Sequence, residues 1–193
     1  MIADMLDAIA SLDLRIALAL HHDSQPAVAM FMRRVSALHS QAALCAYAAI
    51  FAAWLAHRRD MIGVAMTACV VPLGLVINAM LKGVFERARP SFADALPTLT
   101  TYSFPSGHAA GATLLYGAIL AWCLPRIASA RLRRALLAAG VAMVALVSFS
   151  RLYLGAHFLS DVVGAIVWSS AWVALCVAGA RALERRRAAR RGQ

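Results

Sequence analysis

Three short stretches carry the residues able to do chemistry in a chain that is otherwise apolar. The first, "KGVFERARP", holds Lys82 and Arg89, seven positions apart, followed by Pro90. Two helical turns cover that spacing, which places both cations on one side of a helix and leaves Glu86 and Arg87 as solvated rim residues. The second, "SFPSGHAAG", interrupts two apolar runs with Pro105, Ser106, Gly107 and His108. A serine and a glycine where a new apolar run begins offer a hydroxyl and backbone N–H groups to an anion at a helix N-terminus. The third, "SRLYLGAHFLSD", holds Arg151, whose planar fork suits phosphate oxygens, and His157 with Asp161 four positions on. On one helical face, that carboxylate would fix the imidazole tautomer, stabilise its cation and leave the other ring nitrogen able to attack.

Each stretch alone has a plainer reading. Cations beside an apolar run snorkel to headgroups, Pro-Ser-Gly turns are common, and a His–Asp pair can simply join helix ends. An aspartate at the start of an apolar run is costly enough, however, to favour a functional role. Two further residues stay open: His39, either a rim residue or an interfacial hydrogen-bonded one, and Asn78, either a support for Lys82 or a bridge between helices.

The elements that must position these residues are membrane spans. Of 193 residues, 62% are hydrophobic, and the mean hydropathy is +0.72, against about 45–50% apolar residues in soluble proteins. A span needs about 20 mostly apolar residues. Five segments approach that length: Leu38–Ala56, Met61–Leu81, Ala109–Leu124, Ala135–Phe149 and Val162–Ala180. Upstream, Ile2, Met5, Leu6, Ile9, Leu12, Ile16 and Leu20 recur at helical spacing, with Asp4, Asp7 and Arg15 elsewhere on the wheel. That pattern predicts an amphipathic helix lying in the interface. Ala27–Val35 reads as a second short surface helix entered after Pro26. The expected architecture is an all-α integral membrane helix bundle of five transmembrane helices, or six if the N-terminal segment also crosses. It forms one domain over residues 1–193: interfacial helices at 1–37, the bundle at 38–181 and a basic tail at 182–193.

Charge gives the orientation. Twelve arginines (58, 59, 126, 131, 133, 134 and six from Arg181 onward) fall on one face, and the other seven basic residues on the opposite face. The positive-inside rule makes the first face cytoplasmic and puts the three polar stretches outside. Cysteines introduced at Ala95 on the outer face, Ser129 on the inner face and Ser24 in the N-terminal segment would report this arrangement. The net charge of +10 lies beside apolar runs with no interleaved aromatic residues, which argues for lipid contact and against nucleic acid. Cys45, Cys69, Cys123 and Cys176 each stand alone in an apolar run and read as buried small hydrophobes.

Taken together, the three stretches resemble the signature motifs of the type 2 phosphatidic acid phosphatase family, which shares its site with vanadate-dependent haloperoxidases. Lys-x6-Arg-Pro is Lys82 to Pro90, Pro-Ser-Gly-His is Pro105 to His108, and Ser-Arg-x5-His-x3-Asp is Ser150 to Asp161. All defining positions match in type, order and spacing, while the N-terminal third lies outside the pattern. The family is often described with six spans, one more than counted here.

The resemblance implies a lipid phosphatase of the bacterial plasma membrane that needs no metal and no cofactor. Lys82, Arg89, Arg151, Ser106 and Gly107 would hold the phosphoryl oxygens through a five-coordinate transition state. His157 would attack phosphorus to form a phosphohistidine, Asp161 would orient it, and His108 would protonate the leaving oxygen and later activate water. Candidate substrates are undecaprenyl pyrophosphate, phosphatidylglycerol phosphate, phosphatidic acid and a lipid A phosphate. A haloperoxidase would share the anion site but need a soluble body. A lipid carrier or assembly factor would keep the spans but need no His108, His157 and Asp161 together.

Overall fold

The computed structural model describes residues 1–22, 25–91 and 101–191. Ser24, Ala95 and the last two residues of the tail lie outside them. Among the described residues every regular element is helical.

Helix α1 (Ile2–His22) turns Met5, Leu6, Ile9 and Leu12 outward and seats Asp13 and Ala17 against the protein. Helix α2 (Pro26–Leu38) opens with proline in its first turn, where no N–H is needed. It is more than a surface helix, because it packs along α7 and buries Met32, Val35 and Ser36. A 47° bend leads into α3 (Gln41–His57), capped by the Ser40 hydroxyl on the Ala43 N–H. Asp60 caps α4 (Met61–Ala68). A π-helical segment around Pro72, Cys69–Leu73, then joins α4 to α5 (Gly74–Phe85). Helix α6 (Gly107–Cys123) ends in a 3-10 turn, Leu124–Arg126. Ser129 caps α7 (Ala130–Tyr153), and α8 (Leu159–Arg191) closes the fold.

Four stretches are each long and apolar enough to cross a membrane: Met61–Phe85, Gly107–Arg126, Ala130–Tyr153 and Leu159–Arg190. The bent α2–α3 pair makes a fifth if taken as one span. Helix α8 has 33 residues, about 50 Å at 1.5 Å per residue, against a hydrocarbon core of about 30 Å. The basic tail is therefore a helical extension of the last span.

Helix α6 is the hub and packs against α3, α5, α7 and α8. Its first turns are Gly107, Ala109, Ala110, Gly111 and Ala112, all buried, and small residues let neighbouring backbones close in where lipid supplies no hydrophobic drive. A Cβ at Gly111 would meet Leu44 Cδ1 at 2.4 Å. Below, Leu114, Leu115 and Ala118 fill the centre with Leu44, Val70, Val71 and Leu75.

Several expectations change here. Helix α5 stops at Phe85, where Glu86 takes the left-handed conformation (φ 44°), so Lys82 and Arg89 do not share a helix. His157 precedes α8 rather than lying on it with Asp161. Cys45 and Cys69 are exposed on the outside of the bundle instead of buried.

Candidate active site

Because neighbouring spans alternate in direction, the C-terminal ends of α5 and α7 meet the N-terminal ends of α6 and α8. Lys82, Ser106–His108, Arg151 and the His157–Asp161 pair therefore share one end of the bundle. Arg89 reaches it from the connection after α5.

Two of the three cations converge on backbone carbonyls, and the third meets a serine hydroxyl. Lys82 Nζ donates to the Tyr102 carbonyl at 2.6 Å and the Ser103 carbonyl at 3.3 Å. Arg89 donates from Nε to Thr101 O (2.7 Å), from Nη2 to Tyr102 O (3.2 Å) and from Nη1 to Ala156 O (2.7 Å). The shared Tyr102 carbonyl brings Lys82 and Arg89 together, which a common helix face does not. Arg151 is buried, donates from Nη1 to Ser36 Oγ at 2.5 Å, and keeps an Nε with no partner. Ser106 Oγ is likewise buried and unpartnered. Among the described residues, no carboxylate forms an ion pair with Lys82, Arg89 or Arg151. Neutral carbonyls hold these donors only moderately, and an oxyanion would replace them with charge-assisted bonds about twice as strong.

His157 is 2% exposed and Asp161 fully buried. His157 Nδ1 lies 3.5 Å from Asp161 Oδ2 and 3.4 Å from Ser103 Oγ. Ser103 Oγ donates to the same Asp161 oxygen at 2.5 Å, and the Phe158 N–H donates to it at 2.8 Å. With acceptors on the Nδ1 side, the ring proton is assigned to Nδ1. The lone pair then sits on Nε2, where Arg89 Nη1 approaches to 3.2 Å. Burial pushes the His157 pKa down to about 4, with Arg89 and Arg151 adding to the effect and Asp161 opposing it. The imidazole is therefore neutral at pH 7, as a nucleophile must be. Burial also lowers the pKa of Arg89.

His108, in the first turn of α6, lies within electrostatic reach of Arg151, His157 and His39 and near the Ser36 backbone. His39 bridges the Val35 carbonyl (2.9 Å) and Tyr116 Oη (2.8 Å). Asn78 accepts from Trp168 Nε1 (3.1 Å) and donates to the Pro105 carbonyl (3.5 Å), so it braces the connection before α6. A Cβ at Gly107 would come within 3.1 Å of Gln41 Nε2, so this glycine also lets α3 close on the start of α6.

Four participants were not legible as such. Ser36 and Ser103 carry no sequence signal beyond their type. Arg87 is no rim residue: Nη1 pairs with Asp161 Oδ1 at 2.6 Å and Nη2 with Asp13 Oδ2 at 2.8 Å. Asp13 did carry a signal, since it lies four residues after Ile9 and three before Ile16, on the apolar stripe of α1. Among the described residues, no group of three or more His, Cys, Asp or Glu side chains is arranged to hold a metal ion.

A family model for the PAP2 superfamily matches residues 62–185. Phosphatidylglycerophosphatase B of Bacillus subtilis (strain 168) is 38% identical over 91 residues, 46% of this chain and 44% of that protein. The match thus spans less than half the length of that curated relative. The crystal structure of a transmembrane PAP2-type phosphatidylglycerolphosphate phosphatase from Bacillus subtilis superposes with a TM-score of 0.79 at 28% identity, over 89% of this chain and 85% of the other. That of Aquifex aeolicus LpxE gives 0.65 at 18% identity, over 86% and 94%, a likeness of fold.

Proposed function

The chain belongs to the PAP2 superfamily, an integral membrane protein by its spans, and on that premise we propose that it hydrolyses the phosphate of a membrane lipid through a phosphohistidine. The observation that carries this reading is the cluster of Lys82, Arg89 and Arg151, held by neutral oxygens and set beside a neutral His157 whose Nε2 faces Arg89. The three cations and Ser106 take the phosphoryl oxygens. The Nε2 lone pair attacks phosphorus, the bond from phosphorus to the ester oxygen breaks, and His108 gives that oxygen a proton. Water then attacks the phosphohistidine, losing its proton to His108, and phosphate leaves with His157 restored. Charge spread over the phosphoryl oxygens is met by donors already in place.

An amphiphilic substrate has room for its tail. An apolar groove of about 370 Å³ lies between α6, α7 and α8, lined by Thr113, Tyr116, Leu120, Val144 and Ile166 among others. Tyr116 links it to His39 and so to the surroundings of His108. Phosphatidylglycerol phosphate is the first substrate to try, by likeness to the Bacillus phosphatases. Undecaprenyl pyrophosphate, phosphatidic acid and a lipid A phosphate follow.

Phosphate release from this panel, measured in detergent with EDTA, tests the reading. Release from at least one lipid, undiminished by EDTA, is expected; no release from any, or loss with EDTA, overturns it. The site end faces the periplasm or exterior of a bacterial plasma membrane and the tail faces the cytoplasm, in line with the arginine distribution. In a background lacking native cysteines, an impermeant thiol reagent should label a cysteine at exposed Tyr102 and not one at exposed Ser129. The opposite pattern reverses the orientation.

A further inference from the structure

The carboxylate that steadies His157 is itself held from outside the site. Asp161 uses Oδ2 for Ser103 Oγ, the Phe158 N–H and His157. Among the described residues its other oxygen, Oδ1, accepts one hydrogen bond, from Arg87 Nη1 at 2.6 Å. Arg87 does not stand by itself. Its Nη2 donates to Asp13 Oδ2 at 2.8 Å, its Nη1 also donates to Ser160 Oγ at 2.6 Å, and its guanidinium lies 4.6 Å from the Phe158 ring centre. Asp13 is 2% exposed although α1 turns its apolar side chains outward. It accepts from the Ser160 N–H at 2.9 Å and from the Ser160 hydroxyl.

Such a buried carboxylate would be expensive if it only anchored a surface helix, for which apolar contact suffices. Its position gives it a second task. Asp13 fixes the Nη2 side of the guanidinium whose Nη1 meets Asp161, so Asp13 sets where Arg87 stands against Asp161. The Arg87 backbone takes part as well, since its carbonyl accepts from the Ser103 N–H at 2.7 Å, and Ser103 is the other side chain between Asp161 and His157. Burial alone would lower the Arg87 pKa, but the two carboxylates more than offset this and raise it.

We infer that Arg87, braced by Asp13 of α1, is the positioning residue that holds Asp161 toward His157, so that the N-terminal helix is a working part of the site. This rests on the proposed roles of His157 and Asp161. Removal of Arg87 leaves the buried carboxylates of Asp13 and Asp161 without the arginine that pairs with both. Removal of Asp13 lets Arg87 turn wholly to Asp161 and draw it away from the ring.

The test uses the full chain, purified in detergent, with a hydrolysed lipid phosphate and with p-nitrophenyl phosphate, which has no tail. Arg87→Gln should lower kcat about ten- to a hundredfold, the scale of one hydrogen bond to a charged group, with KM nearly unchanged on both substrates. Asp13→Asn should lower kcat less, and Arg87→Lys should recover part of the loss. The double variant should be no slower than Arg87→Gln alone, because Asp13 acts through Arg87. Multiplying losses, a change confined to KM, or unaltered kcat in both single variants overturns the inference. Should Asp13→Asn not fold, the recovery in Arg87→Lys decides: a lysine no better than glutamine rejects the positioning role. Asp161→Asn and His157→Ala are run beside them. If those two retain activity, the catalytic reading itself fails; if they lose it while Arg87 and Asp13 prove indifferent, only the present inference fails.

Discussion

Each end of the bundle carries an aspartate at the start of a helix, Asp60 just before α4 and Asp161 in the first turn of α8, and gives that aspartate an arginine. At the site end Asp161 accepts from the Phe158 N–H at 2.8 Å and pairs with Arg87 at 2.6 Å. At the opposite end Asp60 accepts from the Gly63 N–H at 2.8 Å and pairs with Arg126 at 3.2 Å. The surroundings differ. Asp60 is completed by Trp122 Nε1 at 2.7 Å, and Arg126 stacks 4.2 Å over that same ring. The Asp60 and Arg126 side chains are 22% and 45% exposed, and the polar groups there end in one another. Asp161 is fully buried and passes its remaining oxygen to Ser103 and His157, beside three cations that have only neutral partners. A paired aspartate and arginine close a helix end in one place and hold a carboxylate beside a histidine in the other. What separates them is donors left without a charge to meet.

That contrast can be broken in four ways. His157→Ala should remove turnover by more than about three powers of ten, as removal of a nucleophile does, while the protein still inserts and elutes as a single species. Retention of a tenth of the wild-type rate would exclude His157 as nucleophile. Lys82→Gln and Arg89→Gln should each cost roughly one to two powers of ten in kcat/KM, from about 1.5–3 kcal/mol per charge-assisted contact. Steady-state kinetics on one lipid would show it. Asp60→Ala should leave turnover in place and lower thermal stability by about 1 kcal/mol through the lost cap. If it slows turnover as much as Arg89→Gln does, the two ends are not distinct in function. Arg126→Gln should do least, between about 0 and 1 kcal/mol in a melting experiment, because an exposed ion pair stabilises little.

Much of the fold was legible because lipid makes a simple demand on sequence. Apolar runs near 20 residues mark spans, and the four long helices coincide with four of the predicted runs. The cluster of cations, Ser106 and the histidines was legible because their types and spacings recur together in three short stretches beside such runs. What failed was helix arithmetic at the ends. Lys82 and Arg89 meet through the Tyr102 carbonyl, because the chain leaves α5 at Glu86. His157 and Asp161 meet across a turn, because the aspartate lies in the first turn of the helix that follows the histidine and reaches back to the Phe158 N–H. Contacts across long stretches of chain were not legible at all. Arg151 to Ser36 joins residues 115 positions apart, and no local pattern announces such a pairing. Asp13 was the exception, an acid on an apolar stripe whose message needed the partner Arg87 to be read.

The π-helical segment at Cys69–Leu73 acts on the chemistry from the middle of the bilayer. A helix advances about 100° per residue, and a π turn holds one residue more than an α turn. The segment therefore works as a phase shifter, so that no helical wheel drawn through α4 applies to α5. Asn78 and Lys82 lie one turn apart on the later wheel and reach the Pro105 and Tyr102 carbonyls together. Were the same five residues wound as α-helix, with none removed, both would rotate by about 100° about the axis. Every side chain of the site would survive in the sequence, and the lysine would face the wrong neighbour.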